Sequence, residues 1–145
     1  ALAKLLSLAG ERGLIVQIAV SLEDERMQSV LARVPEVDLA PLPNLLKTAR
    51  APHVVLLNGF RSVKGDLLKN LAGAGEVFFD IATVEGVGGL ASLLQQIPAT
   101  RILFGSHAPF FYFESARLKL KESALTHEQM RAICVDNARR LRLHS

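Results

Sequence analysis

Four short apolar runs, each followed by a polar or glycine-rich break and then by residues at helical spacing, constrain this chain more than any other feature. The runs are Leu14 to Val20, His53 to Asn58, Val77 to Ala82 and Arg101 to Phe104. They are nearly continuous in apolar residues, the pattern of strands covered on both faces. Before the first run, Leu2, Leu5, Leu6 and Ala9 recur at helical spacing, and Gly13 stands where a left-handed residue ends a helix cheaply. Pro35, Pro41 and Pro43 precede a short helix, Asn44 to Arg50. A helix around Val63 to Leu71 ends at Gly73 and Gly75, and Leu90 to Gln96 leads to Pro98. Thr126 and Gln129 have the spacing of a capping box, and Met130, Ile133, Cys134 and Leu141 continue that helix as an apolar stripe. Parallel strands need crossover connections, which helices supply. The expectation is therefore an α/β chain of parallel β/α units, one domain over residues 1–145, with no internal repeat at a fixed period.

Composition narrows the function classes. Half of the 145 residues are hydrophobic and 21% are charged, which excludes a disordered chain. No apolar run approaches the roughly 18 residues of a membrane span. The single Cys134 excludes an internal disulfide framework and a four-cysteine zinc site, and it fits a reducing compartment. No basic-then-apolar leader is seen, so a cytoplasmic location is expected. Residues 1–100 carry a net charge of −1 and residues 101–145 a net of +4. The excess lies in Arg117, Lys119, Lys121, Arg139, Arg140 and Arg142, read as a solvated helix face. These cations have no interleaved aromatics and form no nucleic-acid reader motif. The expected partner is a small molecule, not nucleic acid or membrane.

In parallel α/β folds chemistry gathers at the carboxyl ends of the strands. This chain places Gln17 and Ala19, Asn58, Asp80, and Ser106 with His107 there. Polar side chains within apolar strands are costly unless hydrogen-bonded, so they read as a polar rim. A buried amide usually satisfies neighbouring backbone groups, which leaves Gln17 and Asn58 open between structure and binding. Asp80 needs a cation or several donors. His107, between Gly105 and Pro109, combines titration near neutrality with the capacity to hold a metal. Arg61, Glu25 and Tyr112 follow the strands closely enough to line a substrate site. No His-x-His, paired Cys, Gly-x-Ser-x-Gly or phosphate-binding Gly-x-x-x-x-Gly-Lys motif occurs. Gly86, Gly88 and Gly89 lie between a strand and a helix, where an anion can bind, but they lack the dinucleotide spacing.

The segment Arg101-Ile-Leu-Phe-Gly-Ser-His-Ala-Pro resembles the last-strand motif of the amidohydrolase-related family, the amidohydrolase 2 branch of the metal-dependent hydrolases. Asn137-Ala-Arg-Arg-Leu is similar to that family's closing Asn-Ala-x-x-Leu, Val77-Phe-Phe-Asp-Ile-Ala to its seventh strand, and Gly13-Leu-Ile-Val-Gln-Ile to its fifth. The resemblance covers nearly the whole chain but only the second half of a family member. It implies strands 5–8 of a TIM-type (β/α)8 barrel and a metal-dependent hydrolase that attacks C–N or C–O bonds with an activated water. It also implies a divalent metal, zinc above all, held by strand-end histidines and an aspartate.

The expected ligand positions fall on Ala19, Asn58 and His107. Ala19 binds no metal and Asn58 is a poor zinc ligand, which leaves His107 as metal ligand or as a metal-free base oriented by Asp80 or Glu114. Expected catalytic residues are His107 and Asp80; expected substrate contacts are Asn58, Arg61, Gln17, Glu25 and Tyr112. The alternative is a non-catalytic or metal-free descendant serving as a binding module. An open flavodoxin-like sheet is a third, weaker reading. A complete barrel needs about 250 residues. The chain is thus expected to leave two bare sheet edges and an uncovered inner face, closed by a missing N-terminal half or in a homo-oligomer.

Overall fold

The computed structural model describes residues 1–23, 28–48 and 53–143, with the backbone alone for the last two of these. Helix α1 (Leu2–Glu11) precedes strand β1 (Val16–Ala19); then follow α2 (Leu42–Thr48), β2 (Val54–Leu57), α3 (Gly65–Gly73), β3 (Val77–Asp80) and α4 (Gly89–Leu94). A 3-10 turn (Ala99–Arg101) leads into β4 (Ile102–Leu103), and α5 (Phe113–Glu122), α6 (His127–Arg131), a π-helical turn (Ala132–Asp136) and α7 (Asn137–Leu143) complete the chain. The four strands form one sheet in the order β1-β2-β3-β4, every pair parallel. The α/β class and the β/α alternation read from the sequence are therefore present. Each strand is shorter than its apolar run.

Local chemistry explains the element ends. Gly13 takes φ 63° just past α1, and Pro43 lies in the first turn of α2, where a missing N–H costs nothing. Thr126 Oγ1 accepts from the Gln129 amide while the Gln129 side chain accepts from the Thr126 amide, so the capping box forms as expected.

Alternate strand residues point to opposite faces. Val54, Leu56, Val77, Phe79 and Ile102 pack outward against Leu6, Leu42, Leu46, Leu68, Leu71 and Leu90 of the helices. On the inner face Val55, Phe78 and Leu103 form a second cluster with Leu141 of α7, and the guanidinium groups of Arg101 and Arg140 lie 5.5 and 5.2 Å from the centre of the Phe78 ring. Arg140 is thus turned inward and donates to the Thr100 carbonyl at 2.7 Å, rather than lying on a solvated face.

The β4 edge is not bare either. The Phe104 amide donates to the Ile133 carbonyl at 3.0 Å, and the Asn137 amide donates to the Ile102 carbonyl at 2.7 Å and to that of Ala99 at 2.8 Å. A π turn shifts helical pairing by one residue. Here it coincides with the Ile133 carbonyl that caps the strand. The expectation of two bare edges and an uncovered inner face is corrected in part: the C-terminal helical segment meets the β4 edge and covers part of the inner face, while the β1 edge and the inner side of β1 stay open among the described residues. Among the described residues neither β1 nor β4 has a further strand beside it, but at β4 the Ile133 carbonyl and the Asn137 side chain take up edge groups.

Candidate functional site at the carboxyl ends of the strands

Three of the expected rim residues meet. Asp80, the last residue of β3 and almost fully buried, accepts the Asn58 backbone N–H on Oδ1 at 2.9 Å. The Asn58 side-chain amide donates to the Ser21 carbonyl at 3.1 Å and to His107 Nδ1 at 3.0 Å. His107 Nε2 lies 2.7 Å from the Leu22 carbonyl. A carbonyl only accepts, so Nε2 carries the proton and Nδ1 is the acceptor; the partners fix the neutral tautomer. Swapping the Asn58 oxygen and nitrogen would set two oxygens face to face at Ser21, so the amide orientation is also fixed. Its Oδ1 is left buried with no hydrogen-bond partner among the described residues.

The backbone is shaped for this latch. Asn58 and His107 both take left-handed φ, 57° and 54°, and Asn tolerates that region better than most residues. The imidazole stacks on Phe110, with ring centres 5.2 Å apart, and meets Phe111 edge-on. Gly105 lies directly under Asp80. A Cβ there would stand 2.6 Å from Asp80 Oδ2 and 2.8 Å from its Cβ.

Burial pushes the Asp80 carboxyl above its ordinary value, opposed by the amides of Asn58 and Ala82 and by the nearby His107 and Lys119. Lys119, on α5, is half-buried and donates to the Ile81 and Ala82 carbonyls. Burial lowers its pKa, while Asp80 and Glu85 pull it back up. The sequence reading placed Lys119 on a solvated face, and the structure corrects this. The available signal was its position three residues after Ala116 and one before Leu120, both of which are buried.

Lys119 faces a cavity of about 710 Å³ between the β3–α4 loop, the β4–α5 loop and α5. Ser106, Phe110, Phe111 and Tyr112 line it, with Glu85 at its mouth. Tyr112 is thus at the cavity, although largely exposed. Arg61 pairs with Glu85 at 2.9 Å. Gln17 faces the open inner side of β1, and no contact of its side chain with the latch is seen among the described residues. Glu114 sits in an exposed hollow with Arg117 and Lys121, apart from His107. Glu25 lies outside the described residues.

The described residues do not by themselves make up a metal site. Among the described residues no three His, Cys, Asp or Glu side chains converge. Both His107 nitrogens are engaged, Asn58 presents its NH2 to the ring, and Ala19 has no donor. Catalytic zinc takes three protein ligands, a number these residues do not supply.

The Asp80 shift gives a pH prediction. A carboxyl whose folded pKa is raised stabilises the fold below its unfolded value and loses that contribution as pH climbs through the folded value. Stability should therefore fall relative to Asp80→Asn as pH rises from about 3.8, the ordinary aspartate value, through the raised one. Urea midpoints of both proteins across that range test it. A constant difference between the two curves would show that Asp80 titrates normally.

No family model matches the chain, and no curated protein matches it. Among solved structures it is similar to a Pseudomonas putida protein described as a "Putative 2-Pyrone-4,6-Dicarboxylic Acid Hydrolase". That likeness has a TM-score of 0.60 at 21% identity and covers 94% of this chain and 54% of the other. The chain therefore spans about half the length of that neighbour and shares the fold of that half, a four-stranded parallel β/α sheet.

Proposed function

We propose that this chain carries part of the active site of a small-molecule hydrolase of the amidohydrolase type, built on the second half of a (β/α)8 barrel. One observation carries the reading most: its polar residues collect at the carboxyl ends of a sheet whose fold it shares, over 94% of its length, with a protein described as a hydrolase of that name. The cavity beside the latch suits an anionic substrate with an unsaturated or aromatic body. Lys119 supplies the cation and a donor, and Phe110 and Tyr112 supply the flat apolar wall. The neighbour's described substrate is a cyclic dicarboxylate, which has this chemistry.

In such a reaction water adds to the substrate carbonyl, its proton passes to a base, and the expelled oxygen or nitrogen takes a proton. His107, whose neighbours Ser106 and Phe110 line the cavity, is assigned the role of base. To accept at Nδ1 it must release the Asn58 amide, which keeps its bond to Ser21.

A second reading, a binding module without turnover, is favoured by the full engagement of both His107 nitrogens. Cyclic esters and amides bearing carboxylates, assayed by absorbance with and without added zinc, separate the two. The hydrolase reading expects turnover that falls at least about tenfold in His107→Ala and a raised KM in Lys119→Met. Tight binding of the same compounds with no hydrolysis would replace it with the second reading.

A further inference from the structure

We infer that the Lys119 amine is the nucleophile of a covalent site, forming an imine with an aldehyde or ketone that has a flat apolar body. The cavity is the one used in the hydrolase reading. The chemistry goes beyond that reading and does not depend on it.

The first observation is how the amine is held. Lys119 donates to the Ile81 carbonyl at 3.1 Å and to the Ala82 carbonyl, and both of those residues are buried. The two carbonyls belong to the segment between β3 and α4. An ammonium has three N–H donors, whereas a neutral amine has two and a lone pair in the third position. Two carbonyls therefore satisfy the neutral form completely. They also leave its lone pair on the side of the nitrogen turned away from them, and Lys119 lines the cavity of about 710 Å³.

The second observation is the balance of charge around it. Burial favours the neutral amine most, and Arg61 acts in the same direction. Asp80 at the end of β3 and Glu85 on the β3–α4 loop favour the ammonium, but burial outweighs them. Glu122, nearly one turn further along α5, and Tyr112 are the other ionisable groups on the cavity walls among the described residues. A lysine desolvated in this way is the kind that forms imines, because the neutral amine is the attacking species.

The third observation is the wall facing the amine. Val87, Phe110, Phe111 and Tyr112 supply flat apolar surface, and the volume suits a ring-bearing compound. In the reaction the nitrogen lone pair forms a bond to the carbonyl carbon while the carbonyl pair moves to oxygen, which takes up a proton. The nitrogen then gives up a proton. The hydroxyl leaves as water with a proton from solvent, and a C=N bond remains. Nothing is oxidised or reduced, and no further reactant is needed.

Benzaldehyde with sodium cyanoborohydride, which reduces an imine to a stable secondary amine, tests this on the folded chain near neutral pH. Peptide mapping by mass spectrometry reads the rate at each lysine. Lys119 should be labelled at least about tenfold faster than Lys121, an exposed lysine two residues on in the same helix. Its labelling should also begin at lower pH than that of Lys121. Urea should abolish the preference, and Lys119→Arg, which keeps a cation, should remove the fast label. Equal rates at Lys119 and Lys121 in the folded chain overturn the proposal, as does a preference that survives in urea. The hydrolase reading is judged by turnover of esters and amides and this one by a covalent mass, so the two fail separately.

Discussion

Gly105→Ala is expected to destabilise the protein by about 3 kcal/mol, the sum of an overpacking cost and one lost buried hydrogen bond. The new methyl would sit 2.6 Å from Asp80 Oδ2 and 2.8 Å from its Cβ, closer than real Cβ atoms come, and 3.0 Å from its Cγ. Asp80 has little room to yield. Its strand is paired on both sides, with Asp80 in register with Leu103, and its Oδ1 holds the Asn58 amide. Relief requires either a shift of β4 or a rotation of the carboxylate that gives up this bond. For a chain near 150 residues such a loss lowers Tm by roughly 10 °C. The cause is checked by a double-mutant cycle: Asp80→Gly removes all three obstructing atoms, so Gly105→Ala in that background should cost less than about 1 kcal/mol. Equal costs in both backgrounds would show that Gly105 is needed for some other reason.

That contact shows where sequence reasoning stops. The apolar runs and their breaks made the parallel β/α order legible, because hydrophobic pattern and helix caps are local signals. The same logic put Asn58, Asp80 and His107 at one end of the sheet, and three-dimensional packing did bring them together. Which atoms meet was not legible. That Asp80 serves the Asn58 backbone, and that His107 spends both nitrogens on Asn58 and Leu22, depends on residues 22 to 85 positions apart. The charged segment 117–121 misled, because charge alone does not say which side of a helix a residue occupies. Lys119 lies beside the buried Ala116 and Leu120. The π turn left no mark in the apolar stripe from Met130 to Leu141, which fits a regular helix just as well.

Asn58→Ala is expected to cost about 3 kcal/mol, from two lost side-chain hydrogen bonds at roughly 1 kcal/mol each and a left-handed backbone that Ala adopts at about 1 kcal/mol. Asn58→Gly separates these contributions. It keeps the φ of 57° without strain but makes neither bond, so it should be about 1 kcal/mol milder than Ala at this position. Asn58→Asp reports on the ring directly. The Asn58 amide now donates both to the Ser21 carbonyl and to His107 Nδ1, whereas a carboxylate only accepts. In the Asn58→Asp variant the Nδ1 contact therefore forms only when His107 is doubly protonated, and the variant should regain stability towards acid pH relative to Asn58→Ala. Nitrogen chemical shifts of His107 check this. The wild-type ring should show a protonated Nε2 and a bare Nδ1, and the Asn58→Asp ring should show both protonated in the acid range where stability recovers. A wild-type ring with the proton on Nδ1 would mean that Asn58 turns its oxygen to His107, and the latch as drawn here would be wrong.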